Sequence, residues 1–567
     1  MPIQTLSAQF SILSVFSIFA FVLASLLGGA ALPVISVAFL VSTLILGYRQ
    51  FKVGEAITKS TWIGWGLVIA AGLLANNWLG GLWLTPSQDD TLNHLGFLEA
   101  ILNGRQALLG KINRPGSDWF GVSPYHFYPT GSHAWVALFL YPIQKFGFDW
   151  IAAYRVTTIA TLALIPGLLW WSSEAAFSRV PPALRFFLVC AASTQAAFPL
   201  NALGEGGISR LIAMAIFIPL WFSAFSKKES PRFGFICSAI ITPILLFVHP
   251  SLLPLLAVAT FFFRRKTFFA TLLGAPVGAI LFVLILRSAP QEVTQPQIIE
   301  GILGSIRSDA FGWFERLKGP FHYWFADSMG FGKFLSPKNY WVYFSIWLAL
   351  CGKIERKVLF LFGIPFLMAA LALVRNPITD QLGLIFYHST KRIAELTPLL
   401  GLTLALFAAQ FIYSSRTLSK HLSKLVVIVA VAFCVVFVAH SKNEIVHFNE
   451  LFHSPTAILI QSTQQKLKAL PQDERILIDR HEYNFIRFLV TEPTYTLEPE
   501  CAEVGPASSY CVQRREWVKK PHDSPFWWIP SAAEDEAQTA FAKKKSWPVI
   551  EIATHAHLIR VSSEVQR

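Results

Sequence analysis

Apolar runs of membrane-spanning length recur from residue 10 to residue 440, and no other feature constrains this chain's fold as much. A helical crossing takes roughly 20 apolar residues. About thirteen stretches approach that length, near 10–29, 32–48, 61–84, 151–173, 185–202, 208–225, 233–248, 250–263, 267–286, 339–352, 357–374, 394–413 and 424–440. The two runs that meet at His249-Pro250 read as a broken hairpin. With 54% hydrophobic residues, 14% charged residues and a mean hydropathy of +0.49, the composition lies outside the soluble globular range. The expected class is mostly α, a polytopic helical membrane protein.

The lysines and arginines set the expected orientation. With the N-terminus in the cytoplasm, the inner loops hold Arg49, Lys52 and Lys59; Arg179 and Arg185; Lys227, Lys228 and Arg232; Arg264, Arg265 and Lys266; Lys353, Arg356 and Lys357; and Arg416, Lys420 and Lys424. Only Glu55, Glu174, Glu229 and Glu355 oppose them in those loops. The expectation is a multi-pass plasma-membrane protein, N-terminus inside and C-terminus outside. The net charge of +13 follows from these inner loops and their fit to anionic headgroups, so no nucleic-acid partner is expected. "MPIQTLSAQ" has no basic region, and the first apolar run is read as an uncleaved span. Cys190, Cys237, Cys351 and Cys434 fall in spans, where a thiol acts as a small hydrophobe. Cys501 and Cys511 flank a Gly-Pro turn in "CAEVGPASSYC". They read as a short disulfide loop in an oxidising compartment, with two free thiols as the alternative.

Three regions follow: two spans over 1–60, a block from 61 to 440, and a polar tail over 441–567 that carries half of the chain's acids. In the tail, "RILIDRHEYNFIRFLV" and "WPVIEIATHAHLIRVSS" contain strand-type alternation, with a helical run near 456–469. A small extracytoplasmic α/β domain is expected there. Two outer loops are long. The loop over 85–150 contains "SPYHFYPTGSHAWVALFLYPIQKFGF", read as a helix lying along the membrane surface, because counting it as a span would invert every later loop. The loop over 287–338 is rich in aromatic residues, which either pack on lipid or stack on a sugar as part of a lid. No internal repeat or low-complexity segment is evident.

Polar chemistry gathers after the third run. "LTPSQDDTLNHLGFLEAILNG" places Asp89 and Asp90 just past that span and His94 one turn beyond Asp90. The apolar spacing predicts a surface helix starting near Thr91, and Ser87 with Asp90 resembles a capping box. Capping accounts for one carboxylate, but not for two together with a histidine on the same face. The functional alternative is a general base. A carboxylate near low-dielectric surroundings and a second carboxylate has its proton affinity raised, which suits it to take a proton from a hydroxyl. Transfer from a lipid-phosphate sugar needs one such base and cations for the phosphate, whereas glycoside hydrolysis takes two carboxyl groups at a set separation. Candidate cations at that level are Arg155, Arg210, His249, Lys391 and Arg392; Glu205 shares a turn with Arg210 and either pairs with it or positions substrate. Each cation taken alone is an ordinary interfacial anchor, whereas boundary charge that recurs on one face is a site hypothesis.

An acidic pair directly after a span, in the first large outer loop, resembles the GT-C superfamily of integral-membrane glycosyltransferases. Counting the core from 61–84 leaves a juxtamembrane helix, an Arg near the start of the next span and a long loop after the seventh core span, as in that layout. The first two spans and the tail would be additions. More narrowly, "DDTLNHLGFLEAILNG", "YPTGSH" and "FYHSTKRIAELTP" resemble a group of actinobacterial polytopic cell-envelope proteins treated as GT-C members. Their shared features fall on Asp90, His94, Tyr128, Pro129, Gly131, His133, Tyr387 and Arg392. The resemblance implies inverting transfer of a sugar from a polyprenyl-phosphate donor to a cell-envelope glycan or glycolipid. Asp89 or Asp90 would be the base, His94 and His133 would orient it or bind acceptor, Arg210, His249 and Arg392 would take the phosphate, and Tyr128 and Lys391 would bind substrate. Some members use a divalent metal. Because no second acidic motif beyond Glu205 is evident, no cofactor is expected here. The alternatives are a transporter or flippase for a lipid-linked sugar and a non-catalytic envelope scaffold.

Overall fold

The structure, a computed structural model, describes residues 59–79, 131–148, 150–194, 208–226, 252–266, 390–414, 475–478, 526–530, 535–553 and 556–561. It also describes 37, 41, 94, 95, 98, 101, 102, 245, 248, 268, 269, 272–274, 276, 280, 428 and 432. These residues are mostly helical. The chain divides into two compact units, the first of Met1–Trp78, His94–Gly110 and Tyr125–Asn449 and the second of Leu79–Asn93, Lys111–Pro124 and Glu450–Arg567.

The first unit contains seven described helices: α1 (Lys59–Leu79), α2 (Gly131–Lys145), α3 (Trp150–Ala176), α4 (Pro182–Ser193), α5 (Ile208–Ser223), α6 (Leu252–Phe263) and α7 (Thr390–Ser414). All but α2 overlap apolar runs that the sequence marks as spans. Among the described residues, one stretch, Ala152–Ala176 of α3, is long and apolar enough to cross a membrane. Pro182–Ser193, Ile208–Ser223 and Pro398–Ser414 are apolar but shorter. The expected spans that begin near 10, 32, 233, 267, 339, 357 and 424 lie wholly or mostly outside the described residues, as does the loop over 287–338.

α5 forms the middle of this unit and is buried from Ile208 through Phe222. It packs mainly on α3 and also on α2 and α6, while α4 packs on α3 and α7. α1 meets α3 through small residues. Gly72 faces Ala163, and Gly64 lies directly against the Trp171 indole. Trp62, Trp65, Ile69, Leu73 and Leu74 of α1 are exposed. Polar contacts fix the polarity of these helices. Near the start of α1, Ser60 accepts a hydrogen bond on its carbonyl from Trp170 Nε1 at 2.9 Å and donates its hydroxyl to Glu174. Near the end of α1, Asn76 accepts from Arg155 at 3.4 Å. α3 therefore runs antiparallel to α1.

The ends of α3, α5 and α6 meet α7 in an aromatic cluster of Phe177, Phe225, Phe263 and Phe407. Its ring centres lie 4.9 Å apart for Phe177–Phe407, 5.0 Å for Phe225–Phe263 and 5.3 Å for Phe225–Phe407. Trp221 Nε1 donates to Thr403 Oγ1 at 2.8 Å just before it. These four helices thus end together. The same end carries Lys59, Arg179, Arg185, Arg264, Arg265 and Lys266 in the sequence.

α2 differs from the surface-lying helix expected over its sequence. Residues 131–133, 135–138 and 140 are all buried, so most of the first turns is covered by protein. Its contacts with α3 and α5 account for this. The helix stops at a left-handed Gly147 (φ 77°), where Gly147 N–H bonds to Gln144 O at 3.0 Å and Phe148 N–H to Ile143 O at 3.1 Å. That is the six-to-one, five-to-two pattern that closes helices on glycine. At 15 residues, α2 is about 22 Å long and too short to cross the hydrocarbon.

The second unit contains β1 (Arg475–Ile478), β2 (Phe526–Ile529), α8 (Asp535–Lys544), β3 (Val549–Ala553) and β4 (Ala556–Val561). The strand order is β1-β2-β4-β3, with β1 and β2 parallel and the other pairs antiparallel. α8 covers β4 and β3 over a core of Phe526, Trp528, Ala542, Trp547, Ile559 and Val561. Asp535 and Glu536 in its first turn and Lys543 and Lys544 in its last complement the helix dipole. The helix closes as α2 does, with Trp547 N–H bonded to Ala542 O at 2.9 Å, but here Ser546 takes the left-handed position (φ 57°). The strands expected around 475 and 549–561 are present. β2 and α8 were not expected, and the run near 456–469 lies outside the described residues, as do Cys501 and Cys511. Cys190, in α4, is a free thiol.

Candidate functional site

His94 belongs to a helical stretch in which Leu95, Leu98, Ile101 and Leu102 are all buried. The described positions of this stretch are helical, as the apolar spacing predicts, and its apolar stripe is covered, with His94 5% exposed. His133 stands in the first turn of α2 and is wholly buried, beside buried Ser132. The two imidazoles meet. His94 Nδ1 lies 2.7 Å from His133 Nε2, the ring centres are 4.9 Å apart and the planes are tilted by 33°. His133 Nδ1 lies 3.5 Å from Ser132 Oγ, at the outer limit of a hydrogen bond.

Burial pushes the His133 imidazole well below the usual histidine range, and the neighbouring His94 pushes it further the same way. A direct imidazole–imidazole bond needs one ring to donate and the other to accept, and a second proton would place two cations 2.7 Å apart in an apolar interior. The pair accordingly holds one mobile proton at most beyond its two neutral rings.

The other sequence-derived candidates are distributed as follows. Arg210 is in the first turn of α5, 4% exposed. Lys391 and Arg392 begin α7. Asp89, Asp90, Tyr128, Glu205, His249 and Tyr387 lie outside the described residues. Of the candidates, the structure brings His94 and His133 into contact across 39 positions of sequence.

Two polar clusters went unread in the sequence. At the start of α4, Arg185 is buried with its guanidinium 4.9 Å from the Trp170 ring and 3.7 Å from Glu174. Its Nε and Nη1 are buried without a partner. The available signal was Glu174 itself, a lone acid closing the apolar run "LIPGLLWWSSEAAF". In the second unit, fully buried Asp535 accepts from the backbone N–H of His557 at 3.0 Å and meets His557 Nδ1 at 2.6 Å, tying α8 to β4. No local pattern announces that pair. Among the described residues, no group of three or more His, Cys, Asp or Glu side chains is placed to hold a metal ion.

No protein-family model matches this sequence, and no curated protein matches it either.

Proposed function

We propose that this chain is a polytopic plasma-membrane glycosyltransferase of GT-C type. It takes a sugar from a polyprenyl-phosphate donor and passes it, with inversion, to a cell-envelope glycan or glycolipid on the outer side. Asp89 or Asp90 removes the proton from the acceptor hydroxyl, whose oxygen attacks the anomeric carbon as the bond to phosphate breaks. Arg210, His249, Lys391 and Arg392 receive the charge of the departing phosphate, Tyr128 and Glu205 contact substrate, and the tail domain holds glycan. No metal is assigned a step.

The observation that carries this reading is the His94–His133 contact. The two residues come from two separate patches that the resemblance assigns to one site, and they meet at 2.7 Å in a buried place. The basic residues at the common end of α1, α3, α4, α5 and α6 support the layout with that end in the cytoplasm. The exposed apolar face of α1 suits contact with lipid.

Burial of the histidine pair and of Arg210 also favours a second reading, a transporter of a lipid-linked sugar, since carriers place polar groups within the bundle. Asp89→Asn and Asp90→Asn separate the two. Both variants are expected to insert normally, and at least one to abolish sugar transfer in membranes given radiolabelled polyprenyl-phosphate sugar. Full transfer by both variants removes the base. Donor that only crosses the bilayer favours transport.

A further inference from the structure

The link between α2 and α3 is short, running from Phe146 to the residue before Trp150. Phe146 and Phe148 are the most exposed large apolar side chains among the described residues, at 78% and 69%. Where a helix closes on glycine, the apolar residue after the glycine commonly folds back over the last turn. Phe148 holds that position after Gly147 and stays outside. One face of α3 continues the exposure: Ala152, Val156 and Ala160 recur at helical spacing and are exposed, whereas Tyr154, Thr158, Thr161 and Leu162 on the other side are buried. Ala152–Ala176 is also the stretch long and apolar enough to cross a membrane. With Ser172, Ser173 and Glu174 left to the inner interface, the roughly 20 residues that hydrocarbon requires run back from Trp171 to about Ala152. Phe148 then stands about 6 Å beyond the hydrocarbon, and the interfacial layer on each side is about 5–8 Å deep. At the same level the Lys145 Nζ lies 5.4 Å from the centre of the Tyr141 ring, with Trp150 following. A lysine among tyrosine and tryptophan suits the headgroup level, where the ammonium meets lipid phosphate.

We propose that the turn between α2 and α3 is seated in the headgroup layer of the outer leaflet, with the Phe146 and Phe148 rings among the lipids and the Lys145 ammonium on lipid phosphate. This rests on the membrane-spanning reading above and is independent of the sugar-transfer chemistry. The partner is the lipid surface. It is met by the closing turn of α2 alone, while the first turns of that helix pass under protein. His133 lies about 18 Å along the helix from Lys145, so the seated turn and the buried histidine stand at the two ends of one strut. Exposed phenyl rings also suit stacking on a glycan, but the level of the turn and the lysine beside it favour lipid.

The depth of a nitroxide tests the seat in the full chain, held in nanodiscs of phosphatidylglycerol and phosphatidylethanolamine. The nitroxide is carried on a ketone side chain introduced as Phe148→p-acetylphenylalanine, and by the same change at Val156 and at Lys544. Val156 is the lipid reference, and Lys544, exposed on α8, is the water reference. Power saturation reads collisions with oxygen, which enriches in lipid, and with a nickel chelate, which stays in water. At position 148 nickel access should fall below that at 544 and oxygen access should rise above it, with 156 shifted further the same way. Access at 148 equal to that at 544 overturns the proposal, as does low access to both reagents, which marks a protein interior. A probe at 148 that reads as water and is immobilised by cell-envelope acceptor extract assigns the rings to glycan instead. Lipid at 156 with water at 148 overturns the seat alone. Water at 156 overturns the membrane-spanning reading and the seat with it.

Discussion

A methyl group added at each of four glycines tests the packing of α1 on α3. At Gly64 a Cβ would overlap the indole of Trp171, a side chain 5% exposed. At Gly167 the new carbon would sit 2.6 Å from Val68 Cγ2 and 3.2 Å from Trp171 Cζ3. At Gly72 it would meet Ala163 Cβ at 3.5 Å, an ordinary contact, and at Gly66 it would meet nothing within 4 Å. Carbon atoms rest about 3.5–4.0 Å apart, so Gly64→Ala forces α1 or the indole back by more than about 1 Å. Overpacking of that kind costs about 1–3 kcal/mol. Each variant gains the same helix propensity, about 1 kcal/mol for Ala over Gly, so that gain cancels when the variants are compared. Gly64→Ala should therefore be less stable than Gly66→Ala by about 1–3 kcal/mol, with Gly167→Ala between them and Gly72→Ala close to Gly66→Ala. Unfolding of the purified protein by dodecyl sulfate, followed by far-ultraviolet dichroism, gives the order. Coincident midpoints for Gly64→Ala and Gly66→Ala would refute the close approach of the two helices.

Three further outcomes are expected. Ser546→Gly relieves the left-handed strain at the end of α8 and should protect the second unit from proteolysis with a gain of about 1 kcal/mol; a loss would mean that the serine side chain holds the turn. Arg185→Met removes the guanidinium that pairs with Glu174 and lies over Trp170, leaves that carboxylate without its cation, and should lower stability by about 1–3 kcal/mol in the same detergent titration. An unchanged midpoint would show that the pair contributes nothing net. His133 is held neutral in the fold, so unfolding takes up a proton below its ordinary value of 6.5 and stability falls as pH drops from there toward the lowered folded value. Between pH 7.5 and pH 5 the wild type should lose stability that His133→Gln does not, measured as the difference in unfolding midpoints. Parallel pH profiles for the two proteins would contradict a neutral buried ring.

Hydropathy made α1 and α3–α7 legible, because each is an apolar run that has to bury or meet lipid along most of its length. It did not reveal how far α2 is buried: "SHAWVALFLYPIQK" has the composition of a helix, but the covering of its first turns follows from packing on α3 and α5, which local periodicity does not encode. β2, "FWWI", shows no alternation because both faces are buried, so the period of two that revealed β3 and β4 is absent. His94 and His133 were each singled out by motif, yet their hydrogen bond spans 39 residues and follows from the fold of two separate segments. Ser60 with Glu174, 114 residues apart, and Asp535 with His557, 22 apart, are hidden for the same reason: a polar side chain reveals its partner only when the helices between them are placed.

Turnover in nanodiscs tests the proposed glycosyl transfer most directly, because a disc has no two compartments between which a carrier might move substrate. Purified protein is given radiolabelled polyprenyl-phosphate sugar and a cell-envelope acceptor extract, and the lipid products are separated. Free polyprenyl phosphate and labelled glycan should appear together and disappear in the Asp89→Asn/Asp90→Asn double variant. A donor that stays intact with the wild-type protein, or is consumed equally by the double variant, would contradict glycosyl transfer by a carboxylate base.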